Sequence, residues 1–241
     1  MSSSVYVGLS GQVALDRRMT TIANNVANMN TPGFRAEEVK FDSIMSKAGP
    51  REVAFASDGD TFLSRRAGPV KLTGNPLDVA IKGDGWFGIS TPSGNVYTRD
   101  GRFQITENGD LLSSAGYPVL DPGGSAIILN PAGGEITIGN DGAISQGGKQ
   151  VSSIGLFAIA EDADLARFEN SGVVPSKPAE PVADMTSNGV RQGFLEGANV
   201  NPIMEMTRLV MLSRAFESAA SAIEQGESTE TQAIRQLGAS S

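Results

Sequence analysis

Histidine and cysteine are both missing from the 241 residues. The first absence removes the usual general base near neutral pH and the commonest zinc ligand. The second removes thiolate nucleophiles, disulfides and thiolate metal sites. Ser-His-Asp and Cys-His catalysis are therefore excluded, while carboxylate-pair, lysine or tyrosine chemistry stays open. Aromatic residues are scarce, at 6%. No apolar run approaches the roughly 18 residues of a membrane span, so direct membrane insertion is not expected. The opening MSSSVYVGLSGQVALDRR has neither a basic n-region nor a long apolar h-region, so a cleavable secretory signal is not expected either. Positive charge is the minority: 19 Lys and Arg face 27 Asp and Glu, a net charge of −8, which argues against nucleic acid as a partner.

What is present changes character along the chain. Residues 3–29 read as helix, with Leu15, Met19, Ile22, Val26 and Met29 alternating steps of 4 and 3 in a heptad seam. Residues 202–238 repeat the pattern through Leu209, Leu212, Phe216, Ala219 and Ile223, then Ala233 and Leu237, with Gly226 and Glu230 interrupting it. Asn201 and Pro202 suit an N-cap and a first helical position, and Gly238 a C-terminal stop. Isolated helices of this length are marginal in water, so the two ends need each other or neighbouring chains.

Between them lie short strand-like runs and tight turns, among them LDVAI, WFGIS, VYTR and FQIT. Asn108-Gly109 and Asp141-Gly142 are hairpin dipeptides, because both residue types tolerate positive φ. Turn signals every ~8–12 residues predict an antiparallel β domain. One short helix is expected at residues 162–168, and the Pro-rich SGVVPSKPAEPVADMTSNG reads as a loop. The expected fold class is α+β: paired, coiled-coil-like N- and C-terminal helices with a central antiparallel β-rich domain. The division is an N-terminal helix at 1–30, an extended connector at 31–75, a β domain at 76–185, a return connector at 186–201 and a C-terminal helix at 202–241.

Several motifs point to chemistry and then fail. Gly83-Asp84-Gly85-Trp86-Phe87-Gly88 spells G-x-G-x-x-G, but the following ISTPSGN cannot open the helix that would hold a pyrophosphate. Asp58-Gly59-Asp60 lacks the rest of a calcium loop. Arg51, Arg65, Arg66 and Lys71 form a mildly basic stretch without interleaved aromatics, which suits a surface better than nucleic acid. Asp78, Asp84, Asp100 and Asp110 offer carboxylates for a carbohydrate-active enzyme, yet most sit at turns, where Asp is expected for backbone reasons. No catalytic residue, cofactor or metal is assigned. A monomeric binding module, with helices merely capping the β domain, is the other competing class.

Three stretches, ANNVANMNTPGF after a helix, NPLDVAIKGDGWFGI with VYTRDGRFQITENGDLLSSAGYPVL, and EGANVNPIMEMTRLVMLSRAFE, together resemble the bacterial flagellar rod and hook family across nearly the whole chain. The DGWFGI and LSRAFE wording is similar to proximal rod members more than to distal rod or hook types. The resemblance implies a structural subunit of the flagellar basal body rather than an enzyme. Terminal helices would form an inner axial layer with the β domain outside it. Copies of the chain and other rod subunits, proximal and distal, would stack into a periplasm-spanning tube that transmits torque and passes export substrates. Delivery would use the flagellar type III export apparatus.

On that reading the seam residues form an assembly interface, together with Asn24, Asn25 and Asn28 as amides facing other subunits. Asn30 would end the first helix in a left-handed conformation. Thr31 is pushed out of helical space by Pro32, Pro32-Gly33 suits the centre of a type II turn, and Phe34 anchors the exit by burying its ring.

Overall fold

A computed structural model describes residues 3–40, 43–46, 53–56, 59–185 and 187–238. Arg51 and Asp58, and the side chains of Glu230, Ala233 and Leu237, lie outside the described residues. The chain forms two compact units: one of Met1–Ala27, Glu37–Phe62 and Asn201–Ser241, the other of Asn28–Ala36 and Leu63–Val200.

The first unit is built on helices α1 (Ser3–Ala27) and α2 (Pro202–Gly238). Asn201 caps α2 by accepting the Met204 N–H at 3.2 Å, with Pro202 at the position where its missing donor costs nothing. The helices pack on each other, and α1 also packs on the strands Glu37–Lys40 and Val53–Ala56. Gly8 lies so close to Ile223 that a Cβ would stand 2.8 Å from its Cγ1. Met19 Sδ meets Ser213 Oγ at 3.9 Å. Gly8 beside Ile223 and Met19 beside Ser213 make the pair antiparallel.

The second unit is β-rich and antiparallel. Its largest sheet has six strands, ordered Leu165–Phe168, Gly172–Pro175, Gly94–Thr98, Trp86–Thr91, Leu156–Ala158 and Glu180–Pro181. Successive side chains of a strand point to opposite faces. Phe87 and Leu156 accordingly join one buried cluster, with Val79, Phe103 and Ile144, while Trp86 and Phe157 join another, with Tyr97, Leu120 and Val173. Asp141-Gly142 turns the strand Ile136–Ile138 into Ala143–Gln146, with Gly142 at φ 80°.

Three expectations change. The helix expected at 162–168 is a strand, Leu165–Phe168, because pairing with Gly172–Pro175 overrides local helical composition. The connector of residues 31–75 carries strands at Glu37–Lys40, Ser43–Ser46, Val53–Ala56, Asp60–Leu63 and Val70–Leu72. Helix α1 stops at Ala27, and Asn30 is not left-handed, since among the described residues Glu169 is the non-glycine with positive φ. The chain turns there through Thr31, whose N–H donates to Asn28 O at 3.0 Å and whose hydroxyl donates to Asn28 Oδ1 at 3.2 Å.

Candidate functional site

Within the first unit, helix α2 has two apolar faces. Leu209, Leu212, Phe216, Ala219 and Ile223 lie on one face and are buried or half-buried. Ile203, Met204, Met206, Val210 and Met211 are exposed, from 48% at Met206 to 80% at Ile203. At 3.6 residues per turn the two sets are centred roughly 180° apart. Helix α1 exposes Leu9 and Val13, one turn apart, while Leu15, Met19 and Val26 are half-buried and Ile22 is buried. Met29 lies beyond the helix end and is half-buried.

Within the chain the seam residues are turned from solvent and the two helices pack on each other, as two apolar stripes at high effective concentration will. The bare apolar surface is the other face. The signal for it stood in the sequence, as apolar residues out of phase with the heptad.

The asparagines are also largely committed at home. Asn25, 3% exposed, donates from Nδ2 to Glu37 O at 2.8 Å and accepts the Glu37 N–H on Oδ1 at 2.9 Å. Its amide therefore satisfies one strand residue in both directions. Asn24 Nδ2 donates to Glu37 Oε2 at 3.2 Å.

In the second unit, Thr31 to Phe34 form a turn closed by Phe34 N–H on Thr31 O at 3.2 Å, with Pro32 and Gly33 at its centre and Gly33 at φ 69°. A Cβ on Gly33 would lie 2.2 Å from the Asp100 nitrogen, so the turn needs glycine twice over. Phe34 is fully buried, with the Arg167 guanidinium 4.4 Å from its ring centre.

The next residue enters a buried ion triad. Glu196 Oε1 lies 2.8 Å from Arg35 Nη2 and Oε2 lies 3.2 Å from Arg99 Nη1, with side chains only 1%, 1% and 5% exposed for Arg35, Glu196 and Arg99. Both guanidinium carbons sit 5.4 Å from the Trp86 ring centre. Burial pushes the Arg35 pKa down to about 10, partly offset by the Glu196 charge. Burial also lowers that of Arg99. No local pattern in the sequence marked Arg35, Arg99 or Glu196, because the partners lie far apart along the chain.

The turn carboxylates are engaged. Asp100 borders a cleft of about 250 Å³ but already accepts from Arg102 Nε and Nη2 and, at 2.9 Å, from Ser114 Oγ. Asp78 accepts from Asn75 and Asp110 from Thr106, while the Asp84 N–H donates to Asn188. Of the basic stretch, Arg65 donates to the carbonyls of Ile159, Ala160 and Ala163. The Gly83–Gly88 motif runs into the strand Trp86–Thr91, as its sequel requires.

A helix pair flanks a β body in sequence and carries a bare apolar helix face, and comparison with known proteins gives the class. Three family models match in order: flagella basal body rod protein over residues 5–35, the flagellar hook protein FlgE/F/G D1 domain over 80–146, and the flagellar basal body rod FlgEFG protein C-terminal region over 191–236. The chain is 51% identical to the flagellar basal-body rod protein FlgF of Mesorhizobium japonicum and 48% identical to that of Rhizobium meliloti, each alignment covering all of both chains. It is 31% identical to the rod protein FlgG of Bacillus subtilis, over 90% of this chain and 92% of that one. The chain belongs to the flagellar basal-body rod protein family. It is a structural subunit of the rod, located in the flagellar basal body and assembling with other flagellar subunits, in a family of structural proteins rather than enzymes.

Proposed function

We propose that this subunit joins the rod through the bare apolar face of its terminal helices, at the proximal end of the shaft. The observation that carries the reading is the second face of α2, five large apolar side chains left in water opposite the stripe that α1 covers. At roughly 100 Å² each they amount to about 500 Å², near the upper end of what a monomer shows without a partner. The partner of stated chemistry is another rod subunit, of this chain or a relative, presenting an apolar helix face. The helix pair acts as a coiled-coil-like axial element, and the β unit of residues 28–36 and 63–200 as the outer domain. A helical stack of such subunits would make a torque-transmitting shaft and an export conduit, fed by the flagellar type III export apparatus. The proximal assignment draws support from the higher identity to the FlgF proteins of Mesorhizobium japonicum and Rhizobium meliloti than to the FlgG of Bacillus subtilis.

Met211→Asp and Ile203→Asp test the reading together. Each places a charge on a face that is already wet in the free subunit, so the purified protein keeps its circular dichroism and thermal midpoint. In cells each variant is expected to be absent from purified basal bodies. Normal incorporation of both would overturn the assignment of this face.

A further inference from the structure

Glu196 ends the strand Phe194–Glu196, which pairs with Val70–Leu72 in a two-stranded ribbon. Strand register is normally held because a slip carries buried apolar residues into water. That control is weak on the Val70–Leu72 side, while Phe194 and Leu195 opposite are only half-buried. Val70, Lys71 and Leu72 are all exposed already, Leu72 at 73%. The neighbouring positions Gly33, Gly68, Gly197 and Ala198 carry little or no side chain to mark a place. The segment is held by short backbone contacts, Gly33 N–H on Glu196 O, Gly197 N–H on Pro69 O and Asn199 N–H on Phe34 O, at 2.8, 2.8 and 3.2 Å. Backbone groups are alike at every residue, so these bonds do not choose their own alignment.

Polar side chains do choose. Glu196 reaches Arg35, Arg99 and, at 2.8 Å, the Gly68 N–H. Asn199 accepts the Ala36 N–H at 2.6 Å and donates to Arg66 O at 2.8 Å. The triad is a costly way to gain stability. It buries two cations against one anion, and Nε of both Arg35 and Arg99 has no partner among the described residues. Apolar groups of similar volume commonly replace such a buried cluster without loss of stability, whereas removing only the anion is severe.

We propose that Glu196, with Arg35 and Arg99, is the register lock of the returning segment, a set of positioning residues kept for specificity more than for stability. Only one alignment puts a single carboxylate between two fixed guanidiniums.

Two full-length variants test this by thermal unfolding and amide NMR. Glu196→Gln leaves two cations buried together and is expected to lower the thermal midpoint of the β unit by roughly 10 °C. The triple replacement Arg35→Met, Arg99→Met, Glu196→Leu is expected to keep or raise the parental midpoint. Its amides of Gly33, Ala36, Gly197 and Asn199 should show several resonance sets and fast exchange, while those of Val79, Phe87 and Val190 stay protected. One native-like set of resonances at the four amides would overturn the proposal, since the backbone then finds its alignment unaided. So would a triple variant less stable than Glu196→Gln, which would make the triad a stabilising feature.

Discussion

Asn25 shows how much one amide can be asked to do. It is buried and satisfies both backbone groups of the half-buried Glu37, so Asn25→Ala removes its bonds to that N–H and C=O together. A loss of about 2 kcal/mol is expected for the helical unit, read by denaturant unfolding followed at a helical wavelength. Gly33→Ala meets a positive φ and a backbone atom at 2.2 Å, so it should cost the β unit more than about 2 kcal/mol, read by denaturant unfolding followed by the fluorescence of the buried Trp86. Tyr117 carries a titration test. Its hydroxyl donates to Glu169 Oε1 at 2.9 Å, which raises its pKa above the ordinary value near 10. A raised tyrosine pKa supports the fold below the ordinary value and withdraws that support as pH climbs through the raised one. Ultraviolet titration of Tyr117→Phe against the parent should therefore lose a step lying above the ordinary tyrosine range.

For the helices and strands, legibility followed the range of the interaction. The heptad of Leu209, Leu212, Phe216 and Ile223 is local, and the residues it marked are those that α2 turns inward. The Asp141-Gly142 hairpin is local too, and the glycine at φ 80° is the signal itself. The stretch EDADLARF misled because its acidic start and Leu-Ala-Arg run are locally helical, while the strand Gly172–Pro175 that captures it is a tertiary fact. Nothing beside Asn25 announced Glu37, and nothing beside Arg35 announced Glu196. The two faces of α2 also predict different failures. Phe216→Asp attacks the face turned toward α1 and should reduce the helical signal of the purified subunit, whereas Met211→Asp should leave it intact.

Taken whole, the molecule divides its stability unevenly. The β unit owns both large apolar clusters, while among the described side chains of α2 only Glu205 and Leu212 are buried. Hydrogen exchange on dilute monomer should therefore find the amides of 3–27 and 202–238 far less protected than those of Val79, Phe87, Ile144 and Leu156. Protection in the helices equal to that in the β core would mean that they are complete without neighbours. Ordering on incorporation would link helix formation to arrival in the rod, and so restrain free subunits from polymerising early.

The β unit is interrupted, leaving its own body after Ala36 and resuming at Leu63, yet the two ends of the gap touch: the Ser64 N–H donates to Ala36 O at 2.8 Å. An excursion whose two ends meet, here also through the paired strands Glu37–Lys40 and Asp60–Leu63, can be lengthened or trimmed between them without pulling on what it leaves behind. Replacing residues 37–62 would therefore spare the apolar clusters of the β unit, while the helical unit would lose the Glu37 backbone that holds Asn25.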